Sequence, residues 1–525
     1  MPDVLQGIID QARTGPDQPA VKDQDRDLTY AELLDEVARC ATGLADHDVV
    51  EGDRVALHLP NSVDFVVAAL SCLWIGAIFV PLAMTDPEAR LATMLSDCTP
   101  TIVVTTDAHA EEQPEPPWLG QIPLVPTSAL RSLAAELRPC VEASSRGAYA
   151  MYTSGTTGTP KGVLIGTSAF GAAVDATSKA LDLTRATRTL CVSPFYFDGS
   201  FATLFPTLVC GGAVVIRPFS LLFSRTFFTT VIKENITYTG FSPSFLRLLL
   251  ASPQWPKFAE SSLDVIALGG EASSIADLRA LWSIAPNIRV FNRYGPTETT
   301  IVVTHQHVTP ELVAGGTVPI GFPHPFVTFH LVAESGEIIE DSDRVGELYI
   351  GGVQLMTGYW GAPELTKEVL RTDIVSGETV YRTGDLVYRD KNGNYVYVDR
   401  ADRVINRNGL RISLIELSEA IRNLAHVSAA ACVTFDDEGE VGIVAFVVSD
   451  QPLSPVDLRD GTLLRIPEAM LPNRYEQVEV LPVNKSNKLD ERLLLSGVGL
   501  RPASASAGIG TGPKLIDSAF PATFR

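Results

Sequence analysis

Paired cysteines are missing from this chain. Cys40, Cys72, Cys98, Cys140, Cys191, Cys210 and Cys432 are scattered over 525 residues, their number is odd, and no two share CxxC spacing. That argues against a disulfide framework or a thiolate zinc site. Reduced, mostly buried thiols in a cytoplasmic protein are expected instead. Excess positive charge is missing too: 41 Lys and Arg stand against 62 Asp and Glu, a formal net charge of −21 spread along the chain. Such a surface has little with which to neutralise nucleic-acid phosphates or hold an anionic membrane. A bound nucleotide needs only a local cradle of donors. The N-terminus, MPDVLQGIIDQ, lacks the basic stretch of a secretory signal. Long apolar runs are absent but for FVVAALSCLWIGAIFVPLA, Phe65 to Ala83. It is about long enough to span a bilayer, but Gly76 punctuates it and Pro81 ends it. The expectation is a buried helix followed by a short buried strand.

What is present is a series of β-branched runs separated by helix-length segments. TIVVTT from Thr101, TLCVSP from Thr189, AVVIRP from Ala213, ITYTGFSP from Ile236 and LDVIALGG from Leu263 are examples. Strands spaced in this way imply right-handed crossovers and parallel sheets, in which ligands bind beyond the carboxyl ends of the strands. After about Gly315 the texture becomes hairpin-like (FHLVAESGEIIE, GELYIGG, GNYVYVDR), with turn signals at Gly336 and Asn392-Gly393. Beyond Asp402 an α+β pattern returns, with a helix expected over Leu414 to Leu424, strands near Ala430 to Phe435 and Val441 to Val448, and a helix from Pro455. The length requires more than one domain. The division expected is a core over 1–401, a small domain over 402–499 and an Ala/Ser/Gly-rich mobile tail over 500–525. No repeat is visible.

The sharpest chemical signal is YTSGTTGTPKG, Tyr152 to Gly162. Gly155, Gly158 and Gly162 let backbone amides approach an anion, and successive N–H groups can form a nest around it. The hydroxyls of Thr153, Ser154, Thr156 and Thr157 add donors, and Lys161 adds a point charge. It is not a Walker A loop, because Gly155 is not followed at the required spacing by Gly-Lys-Ser/Thr. On its own such a segment is more often a flexible linker than a phosphate site. It does not stand on its own. LTYAEL at Leu28, LWIGAIFVPLA at Leu73, FDGS at Phe197, YGPTET at Tyr294, GELYIGG at Gly346, YRTGDL at Tyr381, DRADRVINRNGLRI at Asp399 and NKSNKLD at Asn484 follow in one order. The series resembles the motifs of the adenylate-forming superfamily, and most closely the amino-acid adenylation domains of nonribosomal peptide synthetases. The resemblance runs to about Leu495.

That resemblance implies an α/β fold with a large N-terminal domain, made of two α/β subdomains plus a β-subdomain, and a small mobile α+β C-terminal domain. It implies ATP and Mg²⁺, with Glu298 on the metal, a hard cation that prefers carboxylate and phosphate oxygens. By the same resemblance Thr297 contacts the α-phosphate, Asn292 the adenine edge and Tyr294 the adenine face. Asp385 accepts the ribose hydroxyls, and Arg400 lies on the ribose side. Lys488 is the implied catalytic lysine, bridging the attacking carboxylate and the α-phosphate as charge develops. Lys485 is its competitor, and the register favours Lys488. The loop departs from the usual PNGKVD, with Ser486 and Asn487 in place of asparagine and glycine. Asp402 takes the hinge position, Gly409 the thiol channel, and Asp399 stands where glycine is usual.

The aspartate of FDGS, Asp198, is where amino-acid-activating members pair with the substrate ammonium. The register lines the acid pocket with Gly199, Ala202, Gly240, Ala267, Gly269, Arg293, Ile301 and Val302, mostly small, which implies a roomy pocket. Arg293 is the unusual member. It meets a second substrate carboxylate, or it turns away to an acidic neighbour or a nucleotide phosphate. A β-amino acid is a further possibility. About 37 residues follow Lys488, too few for a carrier domain. A separate phosphopantetheine-bearing carrier protein, in natural-product assembly, is therefore expected, and the resemblance implies a monomer. The rivals are an acyl- or aryl-CoA synthetase, which Asp198 disfavours, and a non-catalytic relative, which Lys161, Glu298, Asp385 and Lys488 disfavour.

Overall fold

The structure is a computed structural model and describes residues 3–131, 147–154, 160–217, 223–401, 404–407, 410–437, 440–465, 471–484 and 489–503. The chain divides into two compact units. The first holds residues 1–383 and 387–397, and the second holds residues 384–386 and everything from Val398 onward.

Two large sheets build the first unit. One has seven strands, with Ile78–Pro81, Arg54–His58, Ile102–Thr105 and Leu124–Pro126 running parallel in that order. Gly147–Ser154 joins the other side, and Pro160–Gly166 and Gly358–Tyr359 are added antiparallel beyond it. The other has eight strands in the order Thr304–Val308, Arg289–Tyr294, Val265–Gly269, Tyr238–Phe241, Arg188–Cys191, Ala213–Ile216, Pro19–Lys22 and Asp27–Thr29. All its pairs are parallel except the outermost at each end. The five β-branched runs read from the sequence are all strands of these two sheets, as crossover spacing requires.

The apolar stretch from Phe65 behaves as its punctuation implied. Val63–Ile75 is a helix buried on nearly every side, Gly76 ends it in the left-handed region at φ 77°, and Ile78–Pro81 is a buried strand. Among the described residues no helix is long and apolar enough to cross a membrane. This helix packs into the largest core, where Phe79, Tyr149, Phe170, Phe201 and Phe205 meet with ring centroids 4.9–6.3 Å apart. LTYAEL is structural. Thr29 and Glu32 form a capping box at the start of the Tyr30–Asp46 helix, and the buried Tyr30 hydroxyl lies 2.8 Å from the carbonyls of both Leu208 and Gly212.

The hairpin texture after Gly315 forms a five-stranded sheet in which Val327–Val332 and Gly346–Gly352 pair antiparallel. Gly336 and Gly393 turn at φ 86°. In the second unit the Leu414–Arg422 helix covers a three-stranded sheet of Val427–Asp437, Glu440–Ser449 and Arg474–Gln477. The helix stops two residues short of the expected Leu424, where the chain turns towards the next strand. Asp399 is fully buried there. Its carboxylate accepts the backbone N–H of Arg400 at 2.7 Å and that of Ile415, in the first turn of the Leu414–Arg422 helix, at 3.4 Å. A carboxylate at a helix N-terminus gives the unusual residue before Arg400 a structural role. The expected mobile tail lies, from residue 504 onward, outside the described residues.

Buried imidazoles make the first unit acid-sensitive. Burial pushes His58, packed on His109 and Trp118 at 4.9 and 5.0 Å, down to about 4. Burial does the same to His324. Unfolded imidazoles protonate near pH 6.5, so between about pH 6.5 and 4 the unfolded chain binds more protons than the folded one. Stability is therefore full above this window and falls as the pH drops through it. Thermal unfolding across this range is expected to show the loss, and His58→Phe is expected to flatten part of it. An unchanged profile contradicts the assignment.

Candidate active site

The sequence-predicted residues sort into three groups. The first gathers at the edge of the seven-stranded sheet. Thr153 and Lys161 face each other across the Gly147–Ser154 and Pro160–Gly166 strands. The turn between those strands, with Gly155, Thr156, Thr157 and Gly158, lies outside the described residues, as does the side chain of Ser154. The Lys161 ammonium stands 5.5 Å from the centre of the Tyr359 ring. The Tyr359 hydroxyl donates to Glu298 Oε1 at 2.7 Å. Glu298 is half-buried in the short helical turn Thr297–Thr299, beside the half-buried Thr297. Its other carboxylate oxygen has no hydrogen-bond partner among the described residues. A hard, partly solvated carboxylate oxygen would suit a hard cation such as Mg²⁺. No group of three or more metal-ligating side chains occurs among the described residues.

The turn carrying Thr297 and Glu298 runs into strained backbone. Thr300 and Ile301 sit at φ 60° and 70°, where β-branched residues are rarely found. Gly295 makes the return possible, since a Cβ there would stand 2.5 Å from Val302 Cα. Gln354 holds the loop from beneath. Its Nε2 donates to the Val302 carbonyl at 2.7 Å, and its backbone carbonyl accepts the Thr300 hydroxyl at 2.6 Å. Its Oε1 meets His324 Nδ1 at 3.0 Å, and His324 Nε2 meets His305 Nδ1 at 2.8 Å. With the Gln354 amide nitrogen committed to a carbonyl, Oε1 is the acceptor. His324 then carries its proton on Nδ1, His305 on Nδ1, and His305 Nε2 is left bare. Burial, together with His324 and Arg293, holds His305 well below the usual imidazole range.

Sequence reasoning missed Gln354, Tyr359, His305 and His324. For Gln354 and Tyr359 the available signal was VQLMTGYW, where single polar side chains interrupt an apolar run directly after GELYIGG. Gln354→Ala is expected to release the strained loop and lower adenylation about tenfold or more, with a smaller effect on the unfolding midpoint. Equal activity in pyrophosphate exchange contradicts that role.

The second group lies in the eight-stranded sheet. Asp198 opens a short helical turn ahead of the Phe201–Val209 helix and is 4 % exposed. A Cβ on Gly199 would meet the Phe197 ring at 2.6 Å. Ala202, Ala267, Ile301 and Val302 are buried. Gly240 and Gly269 do not leave an open pocket, which corrects the roomy reading. The Arg293 side chain fills their space, passing Gly269 and ending over Gly240, where a Cβ would lie 2.9–3.0 Å from the guanidinium nitrogens. Asn292 is buried, with Oδ1 accepting from Ser273 at 3.0 Å and Nδ2 donating to the Pro319 carbonyl at 2.8 Å. The Tyr294 ring lies 6.4 Å from Tyr397.

Comparison with known proteins fits this geometry. The AMP-binding enzyme profile matches residues 8–360. This chain belongs to the AMP-binding enzyme family. Among curated relatives, this AMP-binding enzyme is 28 % identical over 491 residues to tyrocidine synthase 1 of Brevibacillus parabrevis, covering 92 % of the chain and 44 % of the relative. It is 30 % identical over 499 residues to delta-poly-L-ornithine synthetase of Acinetobacter baumannii, covering 92 % and 36 %. The chain thus spans less than half the length of these relatives. Solved structures with the same fold include Klebsiella oxytoca NpsA in complex with 3-hydroxyanthranilyl-AMSN (TM-score 0.83, 22 % identity, 95 % and 99 % covered). ATP-bound MatB from Rhodopseudomonas palustris is another (TM-score 0.84, 21 % identity, 94 % and 98 % covered). The AMP-binding enzyme is therefore an adenylate-forming enzyme of mixed α/β fold.

The third group belongs to the second unit. Asp385 and Arg400 lie 3.5 Å apart, and the Arg400 guanidinium covers Gly384, which turns at φ 73°. Lys488, Asp402 and Gly409 lie outside the described residues.

Proposed function

We propose that the enzyme activates an amino acid as its aminoacyl adenylate and passes it to the phosphopantetheine thiol of a carrier protein. The observation that carries this is Asp198. Its carboxylate, 4 % exposed in the turn before the Phe201–Val209 helix, stands in the motif where amino-acid-activating members of the family meet the substrate ammonium. The curated relatives, peptide synthetases, support the same reading.

In the first step a substrate carboxylate oxygen attacks the α-phosphorus of ATP and pyrophosphate leaves. Lys161, with Thr153 and the Gly155–Gly158 turn, would cradle the phosphates. Glu298, steadied by Tyr359, would hold Mg²⁺, which neutralises phosphate charge, and Thr297 would touch the α-phosphate. Asn292 and Tyr294 would place the adenine, and Asp385 and Arg400 the ribose. Lys488 would stabilise the developing charge. In the second step a thiol attacks the acyl carbon and AMP leaves, with the small domain turned about Asp402 and Gly409 beside the thiol's path.

The test is acid-dependent pyrophosphate exchange over α- and β-amino acids and fatty and aryl acids, followed by transfer to a holo-carrier or to coenzyme A. An amine-bearing winner and a loaded carrier are expected. A winner without an amine, or coenzyme A as sole acceptor, overturns the proposal.

A further inference from the structure

Arg293 is 6 % exposed, and its Nε and Nη1 have no hydrogen-bond partner among the described residues. No carboxylate among the described residues lies within ion-pairing distance of it. Its neighbours are Cys191, Tyr238, Thr203 and the cross-strand partner His305, none of them anionic in this setting. The histidine relay leaves His305 neutral, so one full positive charge remains. An isolated buried cation is costly. A guanidinium does not escape the cost by losing its proton, so an anion is required. The backbone has been cleared for the guanidinium rather than for a bulky substrate group, through glycines on two successive strands. Its head lies over the Tyr238–Phe241 strand, while Lys161, Tyr359 and Glu298 gather at the edge of the other sheet.

We infer that Arg293 receives a second carboxylate of the substrate, making the acid a dicarboxylic amino acid with its amine at Asp198. This rests on the amino-acid reading above, and its failure is separable from it.

The experiment compares isosteres on the wild-type enzyme by pyrophosphate exchange: aspartate against asparagine, glutamate against glutamine, with alanine, α-aminobutyrate and succinate beside them. A dicarboxylic amino acid is expected to exceed its amide by about a hundredfold or more in kcat/KM. Arg293→Gln should cut that preference about a hundredfold, mainly through KM for the acid, with KM for ATP unmoved. A neutral amino acid as best wild-type substrate overturns the inference and leaves the amino-acid reading standing. So does an Arg293→Gln effect confined to KM for ATP. Preference for succinate overturns the amino-acid reading and supports the Arg293–carboxylate pairing. If Arg293→Gln fails to fold, the wild-type isostere comparison decides alone.

Discussion

Replacing Lys488 with alanine lowers adenylate formation a hundred- to a thousandfold or more and leaves folding intact. The reacting carboxylate and the α-phosphate are both anionic, and charge grows on the bridging oxygens as pyrophosphate departs. A lysine placed between them acts in the transition state more than in the ground state, and losing one such donor costs about that much in rate. The lysine sits in NKSNKLD, directly before the strand-like Leu489 and the Asp490 that caps the Glu491–Gly497 helix. Thioester formation from supplied aminoacyl adenylate is expected to survive, because acyl transfer needs no attack on phosphorus. If exchange is undiminished and Lys485→Ala abolishes it, the register of this loop is off by three residues.

Asp198→Ala is the second large effect. Without the carboxylate, a bound ammonium is buried unpaired, at about 3–5 kcal/mol. The fall in kcat/KM is then a hundred- to several-thousandfold. Asp198→Asn keeps the shape and removes only the charge, and it should fail nearly as badly. The loss should be confined to acids with an amine. An analogue in which hydrogen replaces the amine should be handled equally by variant and wild type, because nothing in it needs the charge. An equal loss for both classes would make Asp198 a structural residue of the turn before the Phe201–Val209 helix.

Much of this was legible in the sequence, for identifiable reasons. Parallel strands buried on both faces read as β-branched runs. The helix-then-strand division of Phe65 to Ala83 was marked by Gly76 and Pro81, which have only one comfortable use there. The YTSGTTGTPKG motif stood out because an anion site favours glycine and hydroxyl residues at close spacing, although its segment 155–159 lies outside the described residues. Long-range side-chain geometry was not. No local pattern says that Gln354 reaches back to the Val302 carbonyl or that His324 accepts a hydrogen bond from His305. Nor does any say that the Arg293 chain occupies the space over Gly240 and Gly269. Small residues in a list of pocket positions suggest room. Only packing shows that a neighbour had already taken it.

The central claim is the activation of an amino acid, and one measurement tests it most directly. Each candidate acid is offered to the wild-type enzyme with ATP alongside its deaminated twin, and exchange of labelled pyrophosphate into ATP is followed for the pair. The account predicts that for at least one pair the amine-bearing acid supports exchange and its twin falls a hundredfold or more below it. If the twins are equal in every pair, or the deaminated acids lead, the enzyme activates a different class of acid and the role given to Asp198 is wrong.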